Sequence, residues 1–364
     1  MSEASEHRLA RRSLRSLVVV LVLALAVVCA LQLSASVSAA QGGGRTARLA
    51  DLSAMTGTLA YQLEAERDET AWLLASSASK SQLRHVHAQY RLTDRWAREV
   101  RAGLSALGPG YPVSVVLDAR SARTELGLLA SVRHAAESGQ ATPLAVVDRY
   151  SATISALLDF AGQLARSSTD PRVISTASAA GMVERAEAEY SLQRGVVAYG
   201  LTAGAFAPKM LPLLEASMAN WGADNARFQK FASPSQLDLY EGALAGNSMA
   251  DRITASEQAV IRDAHTHTTL TGSGIGPAQW FSIATAAIGR VRSVGQRLTA
   301  AVRLRGRDQR RTAITAAVTF SVLIALLAAG LAAIIRPWIG GLRRGAASWR
   351  APMASERRAT WSRS

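Results

Sequence analysis

The chain has 364 residues and a formal net charge of +14, length enough for one or two domains with a real core. Its one cysteine, Cys29, excludes an intrachain disulfide and a cysteine-ligated metal site. The basicity is local: residues 1–15 carry net +2, 303–311 net +4 and 336–364 net +6, which leaves +2 for everything else. Arginines gathered beside apolar runs meet anionic lipid headgroups, so a lipid bilayer is the expected partner and nucleic acid is not.

The chain opens with a basic N-terminus, residues 1–15, holding Arg8, Arg11, Arg12 and Arg15. An uncharged apolar run over 16–38 follows, longer than the ~20 residues that cross the hydrocarbon core of a membrane. A second such run covers 313–335. Ser38-Ala39-Ala40 resembles a signal-peptide cleavage site, but the run is longer than the ~7–15 residues of a signal h-region, which favours an uncleaved anchor. With the basic tail of residues 336–364, this predicts two spans and both termini in the cytoplasm. The central stretch 41–311 then lies outside the membrane, and without disulfides it rests on helix packing.

Gln41–Arg45 (QGGGR) reads as a flexible exit from the first span. From there to Gln309 strand signals are nearly absent, and good helix formers dominate. Core-facing positions recur three and four apart, as in Leu59, Leu63, Thr70, Leu73 and Leu74, or Ile154, Leu157, Leu158, Ala161 and Leu164. Thr142-Pro143, Asp170-Pro171, Ser233-Pro234 and Gly276-Pro277 each read as a helix start. Gly108-Pro109-Gly110-Tyr111-Pro112, Ala207-Pro208 and Gly246-Asn247 read as breaks. The predicted helices are 46–78, 80–106, 113–137, 143–167, 171–206, 209–231, 234–245, 249–270 and 277–311, the last continuing into the second span. The expected fold class is all-α, and two stacked or nested four-helix bundles between two transmembrane helices would account for the helix count.

Tyr61–Ala75 (YQLEAERDETAWLLA) surrounds Arg67 with Glu64, Glu66, Asp68 and Glu69. Tyr190–Thr202 (YSLQRGVVAYGLT) repeats part of it, Gln193-Arg194 answering to Glu66-Arg67 and Tyr199 to Trp72. A surface helix with ordinary ion pairs would explain the first turn. So would an arginine aimed into the bundle at a small planar anion, because guanidinium donates paired hydrogen bonds and stays charged when buried. Arg194 sits among apolar neighbours with no acid in the four residues that follow, so it pairs with a distant acid or awaits an anion. His85 and His87, like His265 and His267, are two apart and do not share a helix face, so no metal site is expected. Trp72, Trp96, Trp221 and Trp280 read as core or bundle-end residues, and no catalytic motif occurs.

Four segments in order are the turn Leu63–Arg67, the helix Tyr150–Leu158, the turn Gln193-Arg194 and the stretch Ser233–Tyr240. With an apolar span on each side, the chain resembles the nitrate- and nitrite-sensing (NIT) domain. It is most similar to the version at the front of actinobacterial sensor histidine kinases, over roughly residues 50–300 plus Arg336-Pro337 and Leu342–Ala346. The resemblance implies nitrate or nitrite held by arginines, and Arg67 and Arg194 are the positions that match. It further implies a homodimer and a signal passed to a cytoplasmic partner through a HAMP-like linker starting at Arg336-Pro337. After Ala346 no phosphoacceptor histidine or glycine-rich ATP loop follows, so this chain is expected to be no enzyme, with a disordered tail. No cofactor is implied. The expected function is a cell-membrane sensor of a small anion. The alternatives are a helical envelope scaffold that senses nothing and a truncated sensor histidine kinase whose catalytic half is missing.

Overall fold

The computed structural model describes residues 3–76, 80–244, 248–267, 269–270 and 274–350, and these are helical with no strand among them. In chain order they are α1 (Glu3–Ala75), α2 (Lys80–Ser105), α3 (Val113–Gly127), α4 (Leu129–Glu137), α5 (Pro143–Ala161), α6 (Gln163–Ser167), α7 (Pro171–Ala203), α8 (Met210–Phe231), α9 (Pro234–Leu244), α10 (Ser248–Thr266) and α11 (Pro277–Arg350). Of the tail expected to be disordered after Ala346, residues 347–350 are the helical end of α11, and 351–364 lie outside the described residues.

The caps act as the sequence requires. Thr142 Oγ1 accepts from the Ala145 amide at 3.2 Å, with Pro143 in the first turn of α5. Asp170 Oδ1 accepts from the Arg172 amide at 2.8 Å and starts α7 in the same way. α7 ends on Gly204, whose φ of 74° is left-handed and open to glycine without a Cβ clash. Two predicted helices are each divided. The 113–137 segment breaks at Leu128, next to the weak helix former Gly127, where the Leu128 amide turns to the Glu125 carbonyl at 3.0 Å. The 143–167 segment breaks at Gly162, where the Arg166 guanidinium folds back to donate to the Asp159 carbonyl at 2.8 Å.

The chain divides into two compact units, residues 44–307 and a unit made of 1–43 with 308–364. In the larger unit one apolar core joins α1 (Leu49, Leu59, Leu63) to α2 (Val100, Leu104), α3, α4 and α5 (Tyr150, Ile154, Leu157). A second joins α7 (Val196, Val197) to α8 (Met210, Leu214), α10 (Ile253, Val260) and α11 (Trp280, Ala284). A third places α9, through Tyr240, against α7, α8 and α11. The pattern is that of paired four-helix bundles. α1 gives Ala71 to the second core and α7 gives Val173 to the first, so these helices serve both. Each fully buried leucine contributes about 1.5–3 kcal/mol, which lets the domain stand without a disulfide.

In the smaller unit α1 and α11 each carry a window long and apolar enough to cross a membrane. Leu17, Val20, Leu21 and Leu31 on α1 and Val318, Val322 and Leu326 on α11 are exposed, as lipid-facing residues are. One sequence expectation is corrected here. Gln41–Arg45 is helix, part of the unbroken α1 rather than a flexible exit. Gly43 serves close packing instead: a Cβ there would stand 2.9 Å from the Arg310 backbone nitrogen, so α11 approaches α1 where a side chain is missing. α11 continues through the second apolar run, as predicted.

Candidate functional site

Most of the acid-rich turn of α1 faces inward, with Ala65 and Glu69 only partly buried. Glu64, Glu66, Arg67, Asp68, Thr70 and Ala71 are all buried, because α1 is covered by helices of both bundles at this level. The reading of Arg67 as a surface residue with ordinary ion pairs is therefore set aside: it is 2% exposed.

Arg67 and Arg194 converge on one carboxylate. Arg67 Nε donates to Asp68 Oδ1 at 2.9 Å. From α7, Arg194 donates to Asp68 Oδ2 twice, from Nε at 2.9 Å and from Nη2 at 2.7 Å. Ser191 Oγ donates to the same oxygen at 2.9 Å. The outer ends of both guanidiniums are also held: Arg67 Nη1 donates to Ser151 Oγ of α5 at 3.2 Å, and Arg194 Nη1 to Thr285 Oγ1 of α11 at 3.0 Å. Phe281 lies under Arg194, with the guanidinium carbon 4.7 Å from the ring centre, and Trp280 Nε1 donates to the Arg194 carbonyl at 3.0 Å. Four helices thus meet around two cations.

Two guanidiniums, each 2% exposed, face one carboxylate that is 1% exposed. Glu64 and Glu69 lie in the field of the same cations, and burial pushes each of their carboxyls up to about 7 against that pull. Arg67 Nη2 is buried and donates to no acceptor among the described residues. A buried guanidinium with an open donor beside a second guanidinium is a place where a planar oxyanion gains both charge and hydrogen bonds. The distant partner foreseen for Arg194 is Asp68, 126 residues earlier.

Two neighbouring groups have a different character. Glu66, on the same turn, is saturated: Arg133 Nε and Nη2 donate to its two oxygens at 2.8 and 2.9 Å, and Tyr150 Oη donates at 2.6 Å. Arg133 also reaches Asp94 at 2.7 Å and covers the Tyr90 ring at 4.4 Å. Further along, a cavity of about 240 Å³ is lined by Gly57, Thr58, Glu184, Glu187, Arg292 and Thr299, among others. Arg292 stacks on Tyr61 at 3.7 Å and stands 3.7 Å from Glu187, and burial raises Glu184 to about 7 and Glu187 well above its ordinary value. The histidines behave as solvated helix residues: His87 pairs with Glu137 and His265 with Glu215, on exposed side chains.

Sequence reasoning singled out Arg67 and Arg194 but not the groups that hold them. Asp68 was in view as one acid among four, with nothing local to single it out. Ser151, Ser191, Thr285 and Phe281 carry no signal in isolation, and Arg133 is an ordinary helix arginine until Glu66 meets it.

The comparisons with known proteins bear on the whole domain. No curated protein sequence matches the chain. Among solved structures, one titled "Structure of the NasR transcription antiterminator" superposes with a TM-score of 0.65 over 81% of this chain and 78% of that one. At 19% identity this likeness establishes the shared helical fold. The family model described as nitrate and nitrite sensing matches residues 58–303, which include α1 from Thr58, all of α2–α10, and α11 through Arg303. The chain therefore belongs to the nitrate- and nitrite-sensing (NIT) family.

Proposed function

We propose that the protein senses nitrate or nitrite by holding the anion at Arg67 and Arg194, and passes the change across a membrane. The observation that carries this reading is that two buried guanidiniums converge on Asp68, while Arg67 Nη2 meets no acceptor among the described residues. Both anions are planar and small, and a guanidinium fork donates to two of their oxygens at once. The family described as nitrate and nitrite sensing supports the choice of ligand.

A ligand shifts a conformational equilibrium only by binding two states unequally. Here the anion draws on α1, α5, α7 and α11 together, so it favours the packing in which these helices close around it. α11 is unbroken from Pro277, beside the site, to Arg350, and a helix displaced as a rod carries its shift along its axis. In this reading residues 16–38 and 313–335 span the membrane, both termini are cytoplasmic and the domain of residues 41–311 is extracytoplasmic. Residues 336–346 then deliver the signal to a cytoplasmic partner, in a homodimer. The chain acts as a sensor and catalyses nothing.

Calorimetry on the full chain in lipid nanodiscs, titrated with sodium nitrate, sodium nitrite and sodium chloride, tests this. Nitrate or nitrite should give saturable heat that chloride does not match. Arg67→Ala and Arg194→Ala should each weaken binding by about ten-fold or more, the worth of a charge-assisted hydrogen bond of about 1.5–3 kcal/mol. No heat with any of the three anions, or undiminished binding in both variants, would leave a helical scaffold as the better account.

A further inference from the structure

We propose that Asp68 is an internal stand-in for the anion, and that ligand binding is an exchange in which nitrate or nitrite takes the place of the Asp68 carboxylate on Arg194. The inference rests on the reading of Arg67 and Arg194 as the anion site.

The geometry points to it. A carboxylate is a planar group with two oxygens, like nitrite, and nitrate adds a third oxygen in the same plane. Asp68 presents Oδ1 to Arg67 at 2.9 Å and Oδ2 to Arg194 at 2.9 and 2.7 Å, with Ser191 completing the set at 2.9 Å. That is the arrangement in which two arginines would clamp a free planar oxyanion. The space is full: Arg67, Arg194 and Asp68 are 2%, 2% and 1% exposed. A ligand seeking Arg194 must meet a carboxylate already seated there.

The seat is shaped for that carboxylate by Gly195. A Cβ at position 195 would lie 2.5 Å from Asp68 Oδ1, 2.7 Å from Cγ and 3.0 Å from Cβ. Asp68 therefore reaches Arg194 only because α7 has no side chain at the next residue. The contact is also a tie between helices, since Asp68 belongs to α1 and Arg194 to α7. Nitrate carries no tether to either helix. When it replaces Asp68, a bridge fixed to α1 becomes one that Arg67 and Arg194 share through the ligand, and Asp68 is released. The resting state is held by an attached competitor, so the apparent affinity is lowered by the fraction of time Asp68 occupies its seat.

The test removes the competitor in two ways. Asp68→Asn keeps the shape and discards the charge. Gly195→Ala keeps every charge and blocks the seat. Full-length protein in nanodiscs is titrated with sodium nitrate, with sodium chloride as the control and Arg194→Ala beside it. Both variants should bind nitrate at least about ten-fold more tightly than the wild type, as expected when a dominant closed state is removed. Without nitrate, Asp68→Asn should unfold at a lower temperature than the wild type, because two buried cations lose their carboxylate. Nitrate should raise its unfolding temperature by more than it raises that of the wild type. If the wild type binds nitrate and Arg194→Ala does not, while Asp68→Asn and Gly195→Ala bind no tighter than the wild type, the anion adds beside Asp68 and the exchange is wrong. The anion site itself would stand. If neither wild type nor variants take up nitrate, the site reading fails and the exchange with it.

Discussion

Glu66 and Asp68 lie two residues apart on one helix, both buried, both held by arginine, and they do opposite things. Glu66 is closed: Arg133 and Tyr150 fill its oxygens, and Arg133 has Asp94 as a second acid. Asp68 is shared by Arg67 and Arg194, and Arg67 Nη2 meets no acceptor among the described residues. The first cluster has no charge left to offer a ligand. In the second, two guanidiniums share one hydrogen-bonded carboxylate. A buried ion pair by itself therefore says little about function. The count of charges against donors does.

The largest expected effect comes from breaking the closed cluster. Arg133→Ala would leave Glu66, fully buried, without its cation, and removing one partner of such a pair costs about 3–5 kcal/mol. Chemical denaturation should register that loss, while nitrate affinity of the protein that remains folded should stay near that of the wild type. A fall in affinity matching that of Arg194→Ala would erase the distinction between the two clusters.

A somewhat smaller effect belongs to Glu64, which borders the open cluster. Burial raises its carboxyl to about 7, against 4.5 for an ordinary glutamate. Below pH 4.5 it is protonated in both the folded and unfolded chain. Between 4.5 and 7 the folded chain keeps a proton that the unfolded chain releases, so its contribution to stability falls as pH rises through that window. Above 7 the full penalty applies. Glu64→Gln should therefore raise stability at pH 8 by as much as about 3 kcal/mol and leave it nearly unchanged at pH 4, measured by denaturant unfolding at the two values. An equal gain at both would mean that packing, not protonation, is responsible.

The smallest effect sharpens the contrast from the closed side. Tyr150→Phe removes one hydrogen bond to Glu66 and leaves the bidentate Arg133 pair intact. A loss of about 1–2 kcal/mol in stability, with nitrate binding unchanged, fits a purely structural cluster.

Much of this molecule was legible before folding. Spacing of apolar residues, the Thr142-Pro143 and Asp170-Pro171 caps and the two apolar runs are local signals, and local signals dictate helices. The two glycine-linked errors have a shared cause. Gln41–Arg45 looked flexible and is helix because α11 packs on Gly43, whereas the segment from 143 breaks at Gly162 because Arg166 folds back there. A glycine permits either outcome, and its neighbours in space choose. The site divides in the same way. Guanidinium chemistry and the repeated turn singled out Arg67 and Arg194. Their shared carboxylate could not be singled out, since one helix offers four acids around Arg67 and the deciding partner lies 126 residues away.

What the sequence determined by itself is an all-helical chain with two apolar runs and two arginines in matching turns, because helix propensity, capping and periodicity act within a few residues. What only the tertiary structure decided is direction. It buried Glu64, Glu66, Arg67 and Asp68, gave Glu66 to Arg133 and set Asp68 between Arg67 and Arg194. The reason is geometric: a helix fixes where its side chains stand relative to one another, but only the helices packed around it fix which of them meet water and which meet a partner.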